Sequence, residues 1–312
     1  MGSNDNLIDD VKSFLHKLFT IKDLGSAKYF LGIEIAHSST GILLSQTKYI
    51  NDIIQDAGLI DATTVANPMT HSIILSEPGL PLTDPFVYRR LIGRLLYLQF
   101  TRPDLTFVTQ QLSQYMQTPC DHHLKAVLHV LRYLKGTSHF GLLYPSSSDL
   151  NIVTAYCDAN WGKCKETRRS ITGYCIFLGS SLISWKTKKQ NTVSRSSAEV
   201  EYRSMATTSC ELKWIQYILG DLGVHIKLPI TMHCDSKSVI TLAQNPVSHD
   251  ITKHVDIDYH LIREHVANGF IQTPYIFTTQ QLADLFTKSI SLEHMAPALS
   301  KMNFVDISPV SS

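Results

Sequence analysis

The amino-acid sequence predicts an α/β protein in which a mainly helical first half precedes a mixed five-stranded sheet with helices packed on it. The chain has 312 residues, 44% of them apolar and 18% charged, enough for about two domains with their own cores. Before Gly136, apolar residues mostly recur every three or four positions, as in helices. After Asn151, three strand-like runs are followed by alternating helices and strands, the order expected of a mixed sheet.

The first element is predicted to be an amphipathic helix, because apolar residues share one face from Ile8 to Leu18. A hairpin follows, since the β-rich stretches KYFLGIEIAH and GILLSQ flank the polar turn HSSTG. The next helix covers about 46–57, with Ser45 placed to cap it and Gly58 just past its end.

A proline-rich stretch from Asn67 to Pro85 reads as a linker. Three helices with apolar faces are expected after it, over 91–98, 103–115 and 124–134.

A second boundary lies at PSSSD, from Pro145 to Asp149. Beyond it, we predict strands at 151–157, 172–179, 182–186, 229–234 and 270–277. Helices are predicted at about 197–219, 236–244, 255–267 and 280–288. The chain is therefore divided into segments 1–70, 71–148 and 149–290, with a C-terminal tail at 291–312.

Composition excludes several classes of protein. A net charge of +1 points to no partner by itself, so any charged surface must be local. The six cysteines form no C-x-x-C pair and the histidines no H-E-x-x-H, so we expect reduced thiols and no zinc site. No uncharged run reaches the ~20 apolar residues of a membrane span, and the N-terminus lacks a signal-peptide pattern. These features predict a soluble, intracellular protein without a membrane partner.

Four acidic residues in the second half stand where strands end or helices face inward. Asp158 follows the strand NIVTAYC and Asp235 the strand ITMHC, while Glu199 lies in SRSSAEVEY and Asp284 in TTQQLADLFTK. Carboxylates that share a site need positive charge, and Mg²⁺ prefers such hard oxygen ligands. Two such ions can activate water for phosphodiester hydrolysis. A metal-dependent hydrolase is one interpretation of this pattern.

Each acid also has an ordinary structural interpretation. Ser196 and Glu199 fit a capping box at a helix N-terminus. Asp158 and Asp235 fit turns at strand ends. Asp284 is harder to explain in this way, because aspartate is poorly suited to a helix interior.

Longer stretches of the chain resemble a known family. Six of them resemble the ribonuclease H domain of copia-type LTR-retrotransposon Pol polyproteins: AYCDANW, RRSITGYCIFLG, LISWKTKKQNTVSRSSAEVEYRSMA, HCDSKSVI, TKHVDIDYHLIRE and QLADLFTK. Four upstream stretches resemble the end of the reverse transcriptase of the same polyproteins: FTIKDLGSAKYFLGIEI, GILLSQTKYINDII, YRRLIGRLLYLQFTRPDL and HLKAVLHVLRYLKGT. The resemblance is collinear over about 7–290.

The resemblance implies a ribonuclease H-like fold for 149–290, a palm-end and thumb remnant for 1–70, and linker, thumb and connection helices for 71–148. It implies that Asp158, Glu199, Asp235 and Asp284 are catalytic ligands of two Mg²⁺ ions, for which Mn²⁺ can substitute. The implied reaction is endonucleolytic cleavage of the RNA strand of an RNA–DNA hybrid, in a retroelement particle and therefore in the cytoplasm.

Two departures from the family keep an alternative open. The Y-x-D-D palm motif of the family precedes the segment matched here, so we expect no DNA synthesis. Ile251 stands where the family usually has Arg, and Asn160 where a second Asp is common. These departures favour a catalytically silent remnant that at most binds nucleic acid, whereas the four acids favour a nuclease.

Basic residues between 163 and 189 suggest a nucleic-acid partner. Seven Lys and Arg side chains face one Glu there, a local charge of 7 − 1 = +6, and such side chains contact phosphates without regard to sequence. A solvated hairpin face is the alternative. The predicted substrate contacts are Lys186, Lys188, Lys189, Ser194, Arg195, Ser196, Asn245, His249, Lys253 and His254. Trp161 and Trp185 are expected in the core rather than as stacking platforms for bases.

Overall fold

The computed structural model describes residues 5–69, 74–244 and 256–308. Four predicted substrate contacts, Asn245, His249, Lys253 and His254, lie outside the described residues, as does Ile251. Within those three ranges, no helix is both long and apolar enough to cross a membrane.

Helices dominate the first half, as predicted. They are α1 (Asp5–Leu18), α2 (Thr47–Asp56), α3 (Pro85–Leu98), α4 (Thr106–Ser113) and α5 (Asp121–Gly136). The second half adds α6 (Ser197–Asp221), α7 (Lys237–Gln244), α8 (Asp256–Ala267) and α9 (Leu292–Lys301). Short 3-10 helices cover Pro103–Leu105, Thr278–Gln280 and Leu282–Phe286.

Local chemistry explains where some helices begin. Asp84 caps α3 by accepting a hydrogen bond from the backbone N–H of Phe86 at 2.9 Å, and Pro85 suits the first turn. The predicted cap of α2 is wrong. Gln46 occupies the capping position there, while the Ser45 hydroxyl donates to the Glu34 carboxylate at 3.2 Å.

The strands form two sheets. They are β1 (Tyr29–Phe30), β2 (Ile33–Ser38), β3 (Gly41–Ser45), β4 (Phe140–Pro145), β5 (Val153–Asn160), β6 (Ile171–Leu178), β7 (Ser181–Lys189), β8 (Ile230–His233), β9 (Ile271–Gln272) and β10 (Phe304–Asp306). The first sheet is antiparallel in the order β1-β2-β3-β4-β10. It contains the predicted hairpin, together with β4 and β10, which the sequence analysis missed. The described part of the predicted tail, 291–308, thus contains α9 and the edge strand β10, with Phe304 opposite Leu142.

The second sheet confirms the predicted mixed α/β fold. Its strands lie in the order β7-β6-β5-β8-β9, with β5 antiparallel to β6 and parallel to β8. The ends of β5 and β8 therefore point to the same edge of the sheet. Two predicted elements are shorter than expected: β9 has 2 residues, and the helix predicted at 280–288 is a 3-10 helix over Leu282–Phe286.

Each face of the second sheet is covered by a different part of the chain. On one face, Ile176 and Met232 pack with Met205 of α6 and Ile262 of α8. On the other face, side chains of β6, β7 and the 3-10 helix at 282–286 join the core of the first half. Burial of each such side chain contributes about 1.5–3 kcal/mol. The two halves therefore share one hydrophobic core on this face of the sheet.

Candidate active site

Two carboxylates stand side by side at the ends of parallel strands. Asp158 is near the end of β5 and 4% exposed, and Asp235 follows β8. The hydroxyl of Ser204 donates to the main-chain oxygen of Asp158 at 2.8 Å, and the hydroxyl of Thr287 donates to the Asp158 carboxylate. Thr278 donates to the Asp235 carboxylate at 2.9 Å. Both acids are therefore held in place by neighbouring hydroxyl groups.

Asp284 lies at the same edge of the sheet, on the 3-10 helix Leu282–Phe286. Burial raises the pKa of Asp158 to about 7, and the nearby Asp284 carboxylate adds to the rise. Burial also raises the pKa of Asp284, although the Lys288 ammonium, 2.7 Å from Asp284 Oδ1, opposes the rise. Because the charge of Asp284 acts on Asp158, these two acids lie close together, which unites two of the four acids named in the sequence analysis.

The helix glutamate at this site is Glu201. Burial raises the pKa of Glu201 to about 10, with the charge of Asp158 as the next cause. Its Oε2 is buried and has no hydrogen-bond partner among the described residues. A Glu201 carboxylate oxygen, Cys234 Sγ and an Asp235 carboxylate oxygen lie within 4.8 Å of one another. Glu201 thus occupies the place that we predicted for Glu199.

Glu199 is engaged elsewhere, which corrects that assignment. Its Oε1 pairs with Arg203 at 2.9 Å, its Oε2 accepts from the backbone N–H of Arg195 at 2.8 Å, and its own N–H donates to Ser196 at 3.2 Å. The two backbone contacts are capping contacts, the alternative interpretation of its sequence pattern, and the Arg203 pair is an i,i+4 ion pair. Residues two apart on a helix differ by about 200° in direction, so only one of the two glutamates can face the sheet.

A signal for Glu201 was present in the sequence. Positions 201, 205, 208 and 212 fall on one helical face, and the last three are buried in α6. Glu201 is the first residue of this face, near the N-terminal end of α6.

The donor set at this edge suits a hard divalent cation. Four carboxylates converge there, and oxygen ligands of this kind are those that Mg²⁺ takes. The unpartnered oxygen of Glu201 is the strongest sign, because a buried polar atom normally has a partner. The residues therefore fit a metal centre.

The loop before α6 is held by its own hydrogen bonds. The buried Gln190 donates to Thr172 Oγ1 at 3.0 Å and accepts from Ser194 Oγ at 3.2 Å. Ser194 is 3% exposed, and Ser196 caps α6, so both hydroxyls have internal partners. Arg195 is exposed between them. Of these three predicted contacts, Ser194 is buried, whereas Arg195 and Ser196 are exposed.

The lysines of β7 differ in their availability. Lys186 and Lys188 are exposed, whereas Lys189 donates to Gln114 Oε1 at 3.0 Å and so ties the sheet to the first half. Asp158 pairs with Gly173, and Gly173 with Thr187, the neighbour of Lys188. Two strand spacings separate the backbones of Asp158 and Thr187 by roughly 10 Å. Because side chains alternate between the faces of a strand, Lys186 and Lys188 point to the face opposite Thr187, whose hydroxyl donates to the Phe286 carbonyl.

The two tryptophans are placed differently. Trp185 packs against the shared core, as expected. Trp161 is 56% exposed, which contradicts the prediction that it is a core residue, and its indole N–H donates to the Ser194 carbonyl at 3.1 Å. It therefore lies on the surface beside the loop that precedes α6.

Comparison with known proteins gives consistent matches. Residues 1–71 match the family model described as reverse transcriptase (RNA-dependent DNA polymerase). The chain is 40% identical to the retrovirus-related Pol polyprotein from transposon RE1 of Arabidopsis thaliana, over 99% of this chain and 21% of that protein. It is 34% identical to a putative transposon Ty5-1 protein of Saccharomyces cerevisiae, over 66% of this chain and 68% of that protein. The chain thus spans about a fifth of the length of the RE1 polyprotein.

Among solved structures, the chain is similar to an RNase H1 in complex with an RNA/DNA hybrid. The identity is 12% and the TM-score 0.34, over 43% of this chain and 93% of that one.

Proposed function

Because the chain belongs to the family of Pol polyproteins of copia-type LTR retrotransposons, we propose that its second half is a ribonuclease H. The substrate is an RNA–DNA hybrid, of which the RNA strand is cut endonucleolytically. One observation carries the proposal: four carboxylates meet at one edge of a mixed sheet, and a buried oxygen of one of them lacks a partner.

In this proposal, Asp158, Glu201, Asp235 and Asp284 hold Mg²⁺, with Mn²⁺ as a substitute. When bound, such ions lower the pKa of the attacking water and neutralise charge on the leaving oxygen. The protein contributes a prearranged site. Thr287 and Thr278 fix the orientation of the Asp158 and Asp235 carboxylates, so little rearrangement is needed when the ions bind.

The protonation of these acids makes assembly of the site depend on metal. Burial and mutual repulsion favour the protonated forms of Asp158 and Glu201 in the metal-free protein. Divalent ions reverse this preference, so protons leave as the ions enter. Occupation of the site therefore depends on pH as well as on metal concentration.

The hybrid is held by positive charge. Lys186, Lys188 and Arg195 are exposed and contact phosphates or 2′-hydroxyl groups. Ser194, Ser196 and Lys189 act indirectly, since their polar atoms already have partners within the protein. The contacts of Asn245, His249, Lys253 and His254 stay predictions.

The experiment is a cleavage assay on a hybrid labelled in the RNA strand, with Mg²⁺ and with EDTA. The wild-type protein should cut only with metal, and Asp158→Asn and Glu201→Gln should abolish cutting. Glu199→Gln is the matched control, because it removes the same charge from the same helix outside the cluster, and it should keep most of the activity. Folded wild-type protein that binds the hybrid but never cuts it would establish the silent remnant instead.

A further inference from the structure

One basic side chain lies inside the carboxylate cluster. Lys288 Nζ is 2.7 Å from Asp284 Oδ1, and the two side chains are 35% and 16% exposed. The ammonium is therefore a fixed positive charge at the site.

The backbone positions the Lys288 ammonium beside two of the acids, Asp158 and Asp284. Lys288 directly follows Thr287, whose hydroxyl donates to Asp158, and its own N–H donates to the Asp284 carbonyl at 3.1 Å. Adjacent residues thus engage Asp158 and Asp284. Lysine has a flexible stem and acts as a compact point charge, so this group can swing away without unfolding the turn.

The cluster is consequently asymmetric. Neither Glu201 Oε2 nor Asp284 Oδ1 has a hydrogen-bond partner among the described residues, but Asp284 Oδ1 is paired with the Lys288 ammonium at 2.7 Å and Glu201 Oε2 is not paired with a cation there. With all four carboxylates ionised, as metal binding requires, they and the one ammonium carry a charge of 1 − 4 = −3. One divalent ion reduces that charge to −1, and a second ion makes it +1 unless the ammonium withdraws.

We propose that Lys288 is a resident counter-ion that competes with a divalent cation for the Asp158–Asp284 pair. The first divalent ion binds tightly on the Glu201–Asp235 side, and the second binds weakly because it displaces the ammonium. This inference rests on the metal centre of the proposed function but not on hydrolysis. Lys288 acts as a positioning residue that sets the metal concentration at which the second ion enters.

The test is a Mn²⁺ titration of the full chain without nucleic acid, followed by electron paramagnetic resonance of free Mn²⁺. Wild-type protein should show one tight and one weak site. Lys288→Met should tighten the weak site by about tenfold or more, because the competing charge is gone. Lys288→Arg keeps the charge and should retain the two unequal sites. Lys227→Met is the matched control, since it breaks an exposed Lys–Asp pair at 3.4 Å away from the cluster.

Several results would overturn the inference. An unchanged or weakened second site in folded Lys288→Met, with metal-dependent cleavage by the wild type, would make Lys288 purely structural while leaving the proposed nuclease intact. Lys288→Gln, with a similar stem and no charge, gives the same readout if the methionine variant misfolds. Absence of any Mn²⁺ site in the wild type would remove both the metal centre and this inference.

Discussion

Arg102 and Asp104 form an ion pair whose side chains are fully shielded from solvent. The guanidinium donates to both carboxylate oxygens, at 3.0 and 2.7 Å, and to the Thr137 carbonyl at 2.9 Å. Tyr133 donates to the same carboxylate at 2.7 Å. A buried charge is tolerated only with such partners, so each member of this network depends on the others.

Removal of the Asp104 carboxylate should therefore be costly. We expect Asp104→Ala to lower the free energy of unfolding by about 3–5 kcal/mol, because it leaves the Arg102 guanidinium buried and unpaired. Urea denaturation measures the change. Asp56→Ala, which breaks the surface pair with Arg94, is the control and should cost about 0–1 kcal/mol. Equal losses in the two variants would contradict the role of burial.

The raised pKa of Asp158 predicts how stability depends on pH without metal. Its pKa rises from 3.8 in the unfolded chain to about 7 in the folded protein. Between these values the folded state binds more protons, so the free energy of unfolding falls as pH rises through this interval. Added Mg²⁺ should restore stability at the upper end, since it binds the ionised site.

Thermal denaturation in EDTA, at pH values between the unfolded and folded pKa of Asp158, tests whether stability falls as pH rises. Asp158→Asn should make the slope shallower and raise the melting temperature near pH 8. The exposed Asp61 provides the control, and Asp61→Asn should leave the slope as it is. A melting temperature that rises with pH in the metal-free wild type would refute the argument.

At the scale of elements, β10 closes the first sheet. Phe304 is 5% exposed, stacks on Phe140 with ring centroids 5.3 Å apart, and lies 5.3 Å from the Arg102 guanidinium. We expect Phe304→Ala to destabilise the protein by about 3–5 kcal/mol, as for other buried aromatic residues. Phe100→Ala, at a 61% exposed position, should change little in the same denaturation assay. A small effect at Phe304 would mean that β10 is dispensable.

Elements with strong local patterns were predictable from sequence, and those that depend on distant partners were not. The helices and the central strands follow the spacing of their apolar residues. β10 has 3 residues and exists because it pairs with β4, which lies about 160 residues earlier, so no local pattern marks it. The segment predicted as a helix at 280–288 does bury its apolar residues, but it forms a 3-10 helix over Leu282–Phe286 instead of an α-helix.

Prediction of the site residues from the sequence was limited in the same way, by packing between distant parts of the chain. Asp158 and Asp235 were named because they end strands, Asp284 because aspartate is poorly suited to a helix interior, and the family resemblance joined them into one site. The choice between Glu199 and Glu201 was not made correctly, since both lie in the first turns of α6 and Glu199 also satisfies a capping pattern. Only the packing of α6 on the sheet decides which of them faces Asp158.

At the scale of the whole molecule, the shared core links the stability of the nuclease half to that of the first half. Cys175, Phe177 and Leu182 of the second sheet pack into the cluster that contains Ile53 and Leu131. Neither half can bury these side chains alone. The two halves should therefore unfold together, although the sequence pattern divides them into separate segments.

Coincidence of two probes tests this cooperativity. Tryptophan fluorescence reports mainly on the second half, where the three tryptophans lie at 161, 185 and 214, whereas far-ultraviolet circular dichroism reports on helices of both halves. In urea, both signals should follow one transition with the same midpoint. Leu131→Ala, a change in the first half, should shift both midpoints equally, because its cavity lies in the core that both halves share. If fluorescence kept its midpoint while circular dichroism moved, the halves would be independent folding units joined only by the chain.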